Sequence, residues 1–95
     1  MAGYLIARVE VTNPDAYENY KKLAAAAIAK YEGRYLARGG RMETLEGDDE
    51  ARRLVIVVFP TLEQAKTFYN SPEYTEARAV RKGAAIGTFV AVQGV

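Results

Sequence analysis

The run Leu54-Val55-Ile56-Val57-Val58-Phe59 is apolar at every position and stops at Pro60. It reads as a strand with no polar alternation. Such a strand is buried on both faces, as a central strand of a sheet must be. The rest of the chain therefore has to supply strands at its sides and cover for both its faces. With 95 residues it does so as a single domain, residues 1–95. A chain of this size buries only roughly 60–65% of its unfolded surface, and a partner subunit adds to that.

The remaining elements alternate around this strand. Tyr4 to Val11 reads as a strand, with Leu5, Ala7, Val9 and Val11 on one face and Tyr4, Ile6, Arg8 and Glu10 on the other. Asn13, Pro14 and Asp15 form a helix start: a capping amide, a proline at the first position and an acid on the positive end of the dipole. The helix runs to about Tyr31 with Tyr17, Tyr20, Ala24, Ala27, Ile28 and Tyr31 as one apolar stripe, and Gly33 is expected to close it in the left-handed conformation. Glu18 and Lys22 suit an i,i+4 pair on its wet side. Arg34 to Arg38 reads as a second strand that Gly39-Gly40 interrupts as a bulge and Met42 to Glu46 resumes, before a turn over Gly47 to Glu50. After the apolar strand, Thr61 and Gln64 suit a capping box for a short helix through Tyr69. Asn70-Ser71-Pro72 breaks that helix and starts another, Pro72 to Lys82, with Gly83 as its stop; Ile86 to Val95 is the last strand.

The order is β-α-β-β-α-β with the second helix broken. It predicts an α+β, ferredoxin-like sandwich with an antiparallel sheet whose first and third strands are central. Its own helices cover one sheet face. The other also carries Ile, Val and Phe side chains, and an apolar face of that size predicts a homodimer that pairs sheet to sheet.

Composition narrows the chemistry. Formal net charge is +1, which gives no reason to expect nucleic acid or an anionic membrane surface as a partner. The chain has no Cys and no His, which removes thiol chemistry and the usual ligands of zinc, copper and haem. No metal or cofactor is expected. No leader or membrane span is visible, so the expected location is the cytoplasm.

The polar groups left for a site gather where the regular pattern fails. Tyr69, Asn70, Ser71, Tyr74 and Arg78 surround the helix break, and Arg38, Gly39 and Gly40 form the interruption of the second strand. Each has a plain structural reading: Ser71 as a helix cap, the tyrosines as core residues with hydroxyls at the rim, Arg38 as a salt-bridged arginine beside a bulge. Their functional reading is a ligand site. Tyr74 and Arg78 share a helix face at i,i+4 beside Asn70, the glycines admit a ligand to the backbone, and two arginines favour an anion. Arg8 and Glu10 suit either an ion pair at the dimer rim or charges facing the cavity, and Glu10 and Glu43 are the only acids outside loops suited to act as a base.

The opening Gly3 to Pro14, Arg38-Gly39-Gly40, the Phe59-Pro60 strand end, Tyr69 to Tyr74 and the terminal Phe89 to Val95 together resemble domain-of-unknown-function family 1330 over essentially the whole chain. The resemblance implies the dimeric α/β-barrel superfamily, in which ferredoxin-like protomers pair through their sheets. Superfamily relatives include cofactor-free monooxygenases, lactone isomerases and haem enzymes; the best-known haem members use a histidine, which this chain lacks. Two functions follow as expectations. One is a cofactor-free enzyme acting by proton transfer or as a monooxygenase on a small anionic or aromatic metabolite. The other is a non-catalytic, ligand-binding or stress-related dimer.

Overall fold

A computed structural model describes residues 1–95. The elements run β1 (Gly3–Val11), α1 (Pro14–Lys30), β2 (Arg34–Arg38), β3 (Arg53–Phe59), α2 (Leu62–Tyr69), α3 (Pro72–Arg81) and β4 (Ala85–Gln93). They form one antiparallel sheet in the order β2-β3-β1-β4, with helices on one side. This is the ferredoxin-like α+β arrangement, and β1 and β3 are the central strands.

Caps read from the sequence operate at all three helix starts. The Asn13 side chain accepts from Ala16 N at 3.3 Å, Thr61 from Gln64 N at 3.0 Å and Ser71 from Tyr74 N at 3.1 Å. The capping box at Thr61 is only half made. Gln64 Nε2 donates instead to the Tyr31 carbonyl at 3.0 Å, tying the start of α2 to the end of α1.

The helix ends correct one glycine reading. α1 closes in a Schellman motif, in which Gly33 N donates to Ile28 O at 2.8 Å and Glu32 N to Ala29 O at 3.2 Å. The left-handed residue is Glu32, at φ 67, and not Gly33. Gly33 is there for room: a Cβ on it would lie 2.7 Å from Phe59 Cε1 and 2.8 Å from Ile28 Cγ2. Gly83 is not left-handed either. Lys82 stays right-handed and Ala84 N donates to Arg81 O at 2.8 Å, so the helix unwinds through a turn.

The second strand is shorter than expected. β2 ends at Arg38, and Met42 to Glu46 forms no strand because no neighbouring strand pairs with it. The bulge falls at Leu36, since Tyr35 faces Val57 and Ala37 faces Ile56. Gly39, at φ +66, ends the pairing, and residues 39–52 return irregularly to β3.

Core residues lie between helices and sheet: Leu5, Ala7 and Val9 of β1, Val57 and Phe59 of β3, the α1 stripe, and Phe68, Tyr74 and Ala77 of the broken helix. The opposite sheet face pairs Ile6 with Ile56 and Val90, and Tyr4 with Val58 and Val92. Val90 and Val92 remain 47% and 46% exposed there. At one end of that face Arg8 Nε meets Glu50 Oε1 at 3.0 Å, so the partner of Arg8 is Glu50, not Glu10.

Candidate functional site

Between α1 and the sheet, near the ends of β1, β2 and β3, lies a cavity of about 40 Å³, room for a few water molecules. Tyr17, Tyr20, Lys21 and Ala24 of α1 form one wall. Val9, Val55 and Val57 form the floor, and Phe68, Tyr74 and Phe89 form the back. Arg38 and Arg53 line the cavity together with Tyr35. Its position follows from the sequence, because tyrosines occupy the first turns of the inward stripe of α1 where alanines occupy the later ones.

The charge of this cavity is one-sided. Lys21, Arg38 and Arg53 line it, and no carboxylate does. Lys21 pairs outward with Glu18 at 2.8 Å, the pair that forms in place of Glu18 with Lys22. No ion pair involves Arg38 or Arg53. Arg53 Nε is buried with no hydrogen-bond partner. A buried donor left unmade costs about 1–3 kcal/mol, so the Nε position of Arg53 favours an acceptor that the cavity itself does not supply. Its guanidinium lies 5.8 Å from the Tyr17 ring centroid, and that of Arg38 lies 4.4 Å from the Tyr35 ring.

Gly39 makes this possible. A Cβ there would stand 2.1 Å from Arg53 Nη1. Only glycine combines a positive φ with that close approach. Gly40 has nothing near its Cβ position and shapes no wall.

At the back of the cavity, the hydroxyls of Tyr20 and Tyr74 are 2.6 Å apart, and Arg81 Nη1 donates to Tyr74 Oη at 3.0 Å. Burial, reinforced by Tyr20, raises the Tyr74 phenol far above the ordinary tyrosine range. Burial and Tyr20 also raise Tyr17, and burial raises Tyr35; Arg53 and Arg38 respectively offset only part of this. These phenols are neutral at physiological pH and serve as hydrogen-bond partners. Burial works against the charge of Arg81, yet the Tyr74 and Tyr20 hydroxyls hold its pKa above the usual value.

The residues singled out in the sequence separate into groups. Arg38 and Tyr74 line the cavity just described. Tyr69 and Asn70 line a second, shallower chamber of about 220 Å³ between α2 and β4, with Leu5, Ala65, Lys66, Phe89 and Ala91. Arg78 lines neither: its guanidinium stacks 4.6 Å from the Tyr69 ring and Nη2 donates to Thr75 Oγ1 at 3.3 Å. Ser71 is 4% exposed; its hydroxyl donates to Phe68 O at 2.7 Å while accepting from Tyr74 N. Glu10 and Glu43 are exposed and line no cavity; Glu43 pairs with Arg41 at 2.7 Å. Arg53, Lys21, Tyr17, Tyr20 and Tyr35 line the cavity without having been marked by the sequence. For Arg53 a signal existed: an arginine immediately before an apolar strand, in register with Val9.

No group of His, Cys, Asp or Glu is placed to hold a metal ion, and no helix is long and apolar enough to cross a membrane.

A family model described as a domain of unknown function (DUF1330) matches residues 2–95. No match is found among curated proteins. Among solved structures, a protein of unknown function from Rhodopseudomonas palustris is similar at a TM-score of 0.79 and 18% identity, covering 99% of this chain and 82% of that one. SnoaB, a cofactor-independent oxygenase from Streptomyces nogalater, is similar at 0.71 and 14% identity, covering 99% of this chain and 93% of that one. A dimeric protein of unknown function with a ferredoxin-like fold from Bacteroides fragilis is similar at 0.68 and 16% identity, covering 98% and 96%. At these identities the likeness is one of fold.

Proposed function

We propose that this chain, which belongs to the family described as a domain of unknown function (DUF1330), binds a small carboxylate with a flat apolar part in the cavity between α1 and the sheet. The observation that carries this reading is the cationic lining without an acid: Lys21, Arg38 and Arg53 share the cavity, and the buried Arg53 Nε has no partner. A carboxylate satisfies the guanidinium groups, and the rings of Tyr17 and Tyr35 flank its apolar part. Binding is the role we infer in preference to proton transfer. A general base must reach the proton that it removes, and this cavity has no carboxylate and only phenols held protonated.

Benzoate and the neutral benzyl alcohol serve as probes in isothermal titration. Benzoate binds more tightly, and Arg53→Leu weakens it by about 1.5–3 kcal/mol, roughly 10–150-fold, with little effect on benzyl alcohol. Equal affinities of the natural chain for both probes would overturn the reading.

We infer further that two copies pair through the uncovered sheet face. Ile6, Ile56 and Val90 form its centre, which a monomer leaves in water. The position suited to a test is Ile56, because Val57 points to the helices. Ile56→Asp yields a monomer in sedimentation, whereas a natural chain that stays monomeric at micromolar concentration would refute the pairing.

A further inference from the structure

Two chambers share two side chains. Phe89 and Leu5 line both the cationic cavity and the chamber between α2 and β4. The Phe89 ring lies over Gly87, where a Cβ would stand 2.7 Å from its Cε1, and the Arg81 guanidinium lies 4.1 Å from the Phe89 ring centroid. Phe89 is only half-buried, and the Tyr69 ring lies 6.2 Å away. The two chambers differ in chemistry. The first carries Lys21, Arg38 and Arg53. The second is walled by Leu5, Ala65, Tyr69, Phe89 and Ala91, with Lys66 and Asn70 among its lining residues. The second chamber has about 220 Å³ open against about 40 Å³ in the first.

We propose that the two chambers form one ligand channel with Phe89 as its partition, and that its ligand is an aryl carboxylate with a linear apolar tail. The carboxylate lies on Arg38 and Arg53, the ring passes Phe89, and the tail fills the space between α2 and β4. This deepens the proposed function and rests on it: the first chamber binds the head, and the second selects the tail. It also gives four of the residues marked in the sequence, which the structure divides into Arg38 with Tyr74 and Tyr69 with Asn70, one ligand in common. The entry of the tail requires the Phe89 ring to move, which its half-buried position on the flank of β4 permits.

The test is titration calorimetry with benzoate and para-butylbenzoate on the natural chain and on Ala91→Leu. Ala91 is exposed, so a leucine there fills the second chamber without entering the packed core. Thermal melting checks that the variant keeps its fold. On the natural chain para-butylbenzoate binds at least about tenfold more tightly than benzoate, since each buried methylene strengthens binding about fourfold. On Ala91→Leu that advantage disappears while benzoate affinity stays within about twofold. Benzoate binding with no gain from the butyl group would overturn the channel and leave the proposed function standing. A gain that persists in Ala91→Leu would also overturn it, because the tail would then lie elsewhere. Failure of both probes to bind would refute the proposed function and the channel together.

Discussion

Tyr74→Phe tests whether the back wall of the cavity is held by its hydroxyl network. Tyr74 is 2% exposed, and its hydroxyl meets Tyr20 Oη at 2.6 Å and Arg81 Nη1 at 3.0 Å. The substitution keeps the ring and its contacts with Phe68 and Tyr69, with centroids at 4.4 and 5.4 Å, so packing is conserved. What is lost is one neutral hydrogen bond, worth about 0.5–1.5 kcal/mol, and one to a charged group, worth about 1.5–3 kcal/mol. Arg81 is partly solvated and recovers some of this from water, which places the expected loss at about 2–3 kcal/mol. For a domain of this size that lowers Tm by on the order of 10–20 °C. Tyr20→Phe removes only the neutral bond and costs about 1 kcal/mol. The double variant is then less destabilised than the sum, by about 0.5–1 kcal/mol, because both halves of the Tyr20–Tyr74 bond are removed together. Urea denaturation of the four proteins at one protein concentration measures the cycle. Strict additivity would refute the claim that this hydrogen bond contributes to stability, and a Tyr74→Phe protein as stable as the natural one would refute the network altogether.

The other predictions concern the joints between helices. Ser71→Ala costs about 1–2 kcal/mol because the cap and the bond to Phe68 O both vanish; Ser71→Asp is no better in urea denaturation, since an ionised aspartate cannot donate to Phe68 O and its charge is buried. Glu32→Gly stabilises by about 0.5–1 kcal/mol by relieving the left-handed residue, while Gly33→Ala destabilises against Phe59 and Ile28; a Gly33→Ala protein as stable as the natural one in the same assay would contradict the close approach. Glu73 accepts from Lys30 Nζ and, at 2.7 Å, from Tyr31 Oη, and these bonds hold its carboxyl down at about 2. A folded pKa below the unfolded one gives stability that is full above about pH 4.5 and is lost as pH falls towards 2; Glu73→Gln flattens that part of a stability–pH profile, and an unchanged profile would contradict the pairing.

Much of the fold was legible because local and global signals agree. The apolar Leu54 to Phe59 run forced a central strand, and Asn13-Pro14, Thr61 and Ser71-Pro72 each marked a helix start through the bonds that a cap makes. At the helix ends one residue type serves two different roles. Glycine after a helix suggested left-handed backbone, but at Gly33 the demand was space beside Phe59, and Glu32 took the strained conformation one position earlier. Met42 to Glu46 had strand-like residues, but a strand needs a neighbour, and pairing partners are a property of the whole sheet.

The candidate site was legible in part for the same reason. Broken periodicity pointed to Arg38-Gly39-Gly40 and to the Asn70-Ser71-Pro72 break, and each lies beside a chamber. Ser71 nevertheless serves the break itself, with one hydroxyl joining the end of α2 to the start of α3. Tyr17 and Tyr20 matched a core stripe, and nothing in a periodic pattern distinguishes a tyrosine that packs from one that lines a cavity. Arg53 depends on register. Its pairing with Val9 turns it to the helix side, and Gly39, closing over it from the other end of the irregular segment, leaves its guanidinium no room to swing out. The buried Arg53 Nε has no partner, and an anion supplies one. If that donor serves a ligand rather than the fold, Arg53→Leu weakens benzoate yet leaves the ligand-free protein as stable as before or more so. A melting temperature that falls by several degrees in the ligand-free variant would mean that Arg53 serves the fold, and the case for a bound carboxylate would go with it.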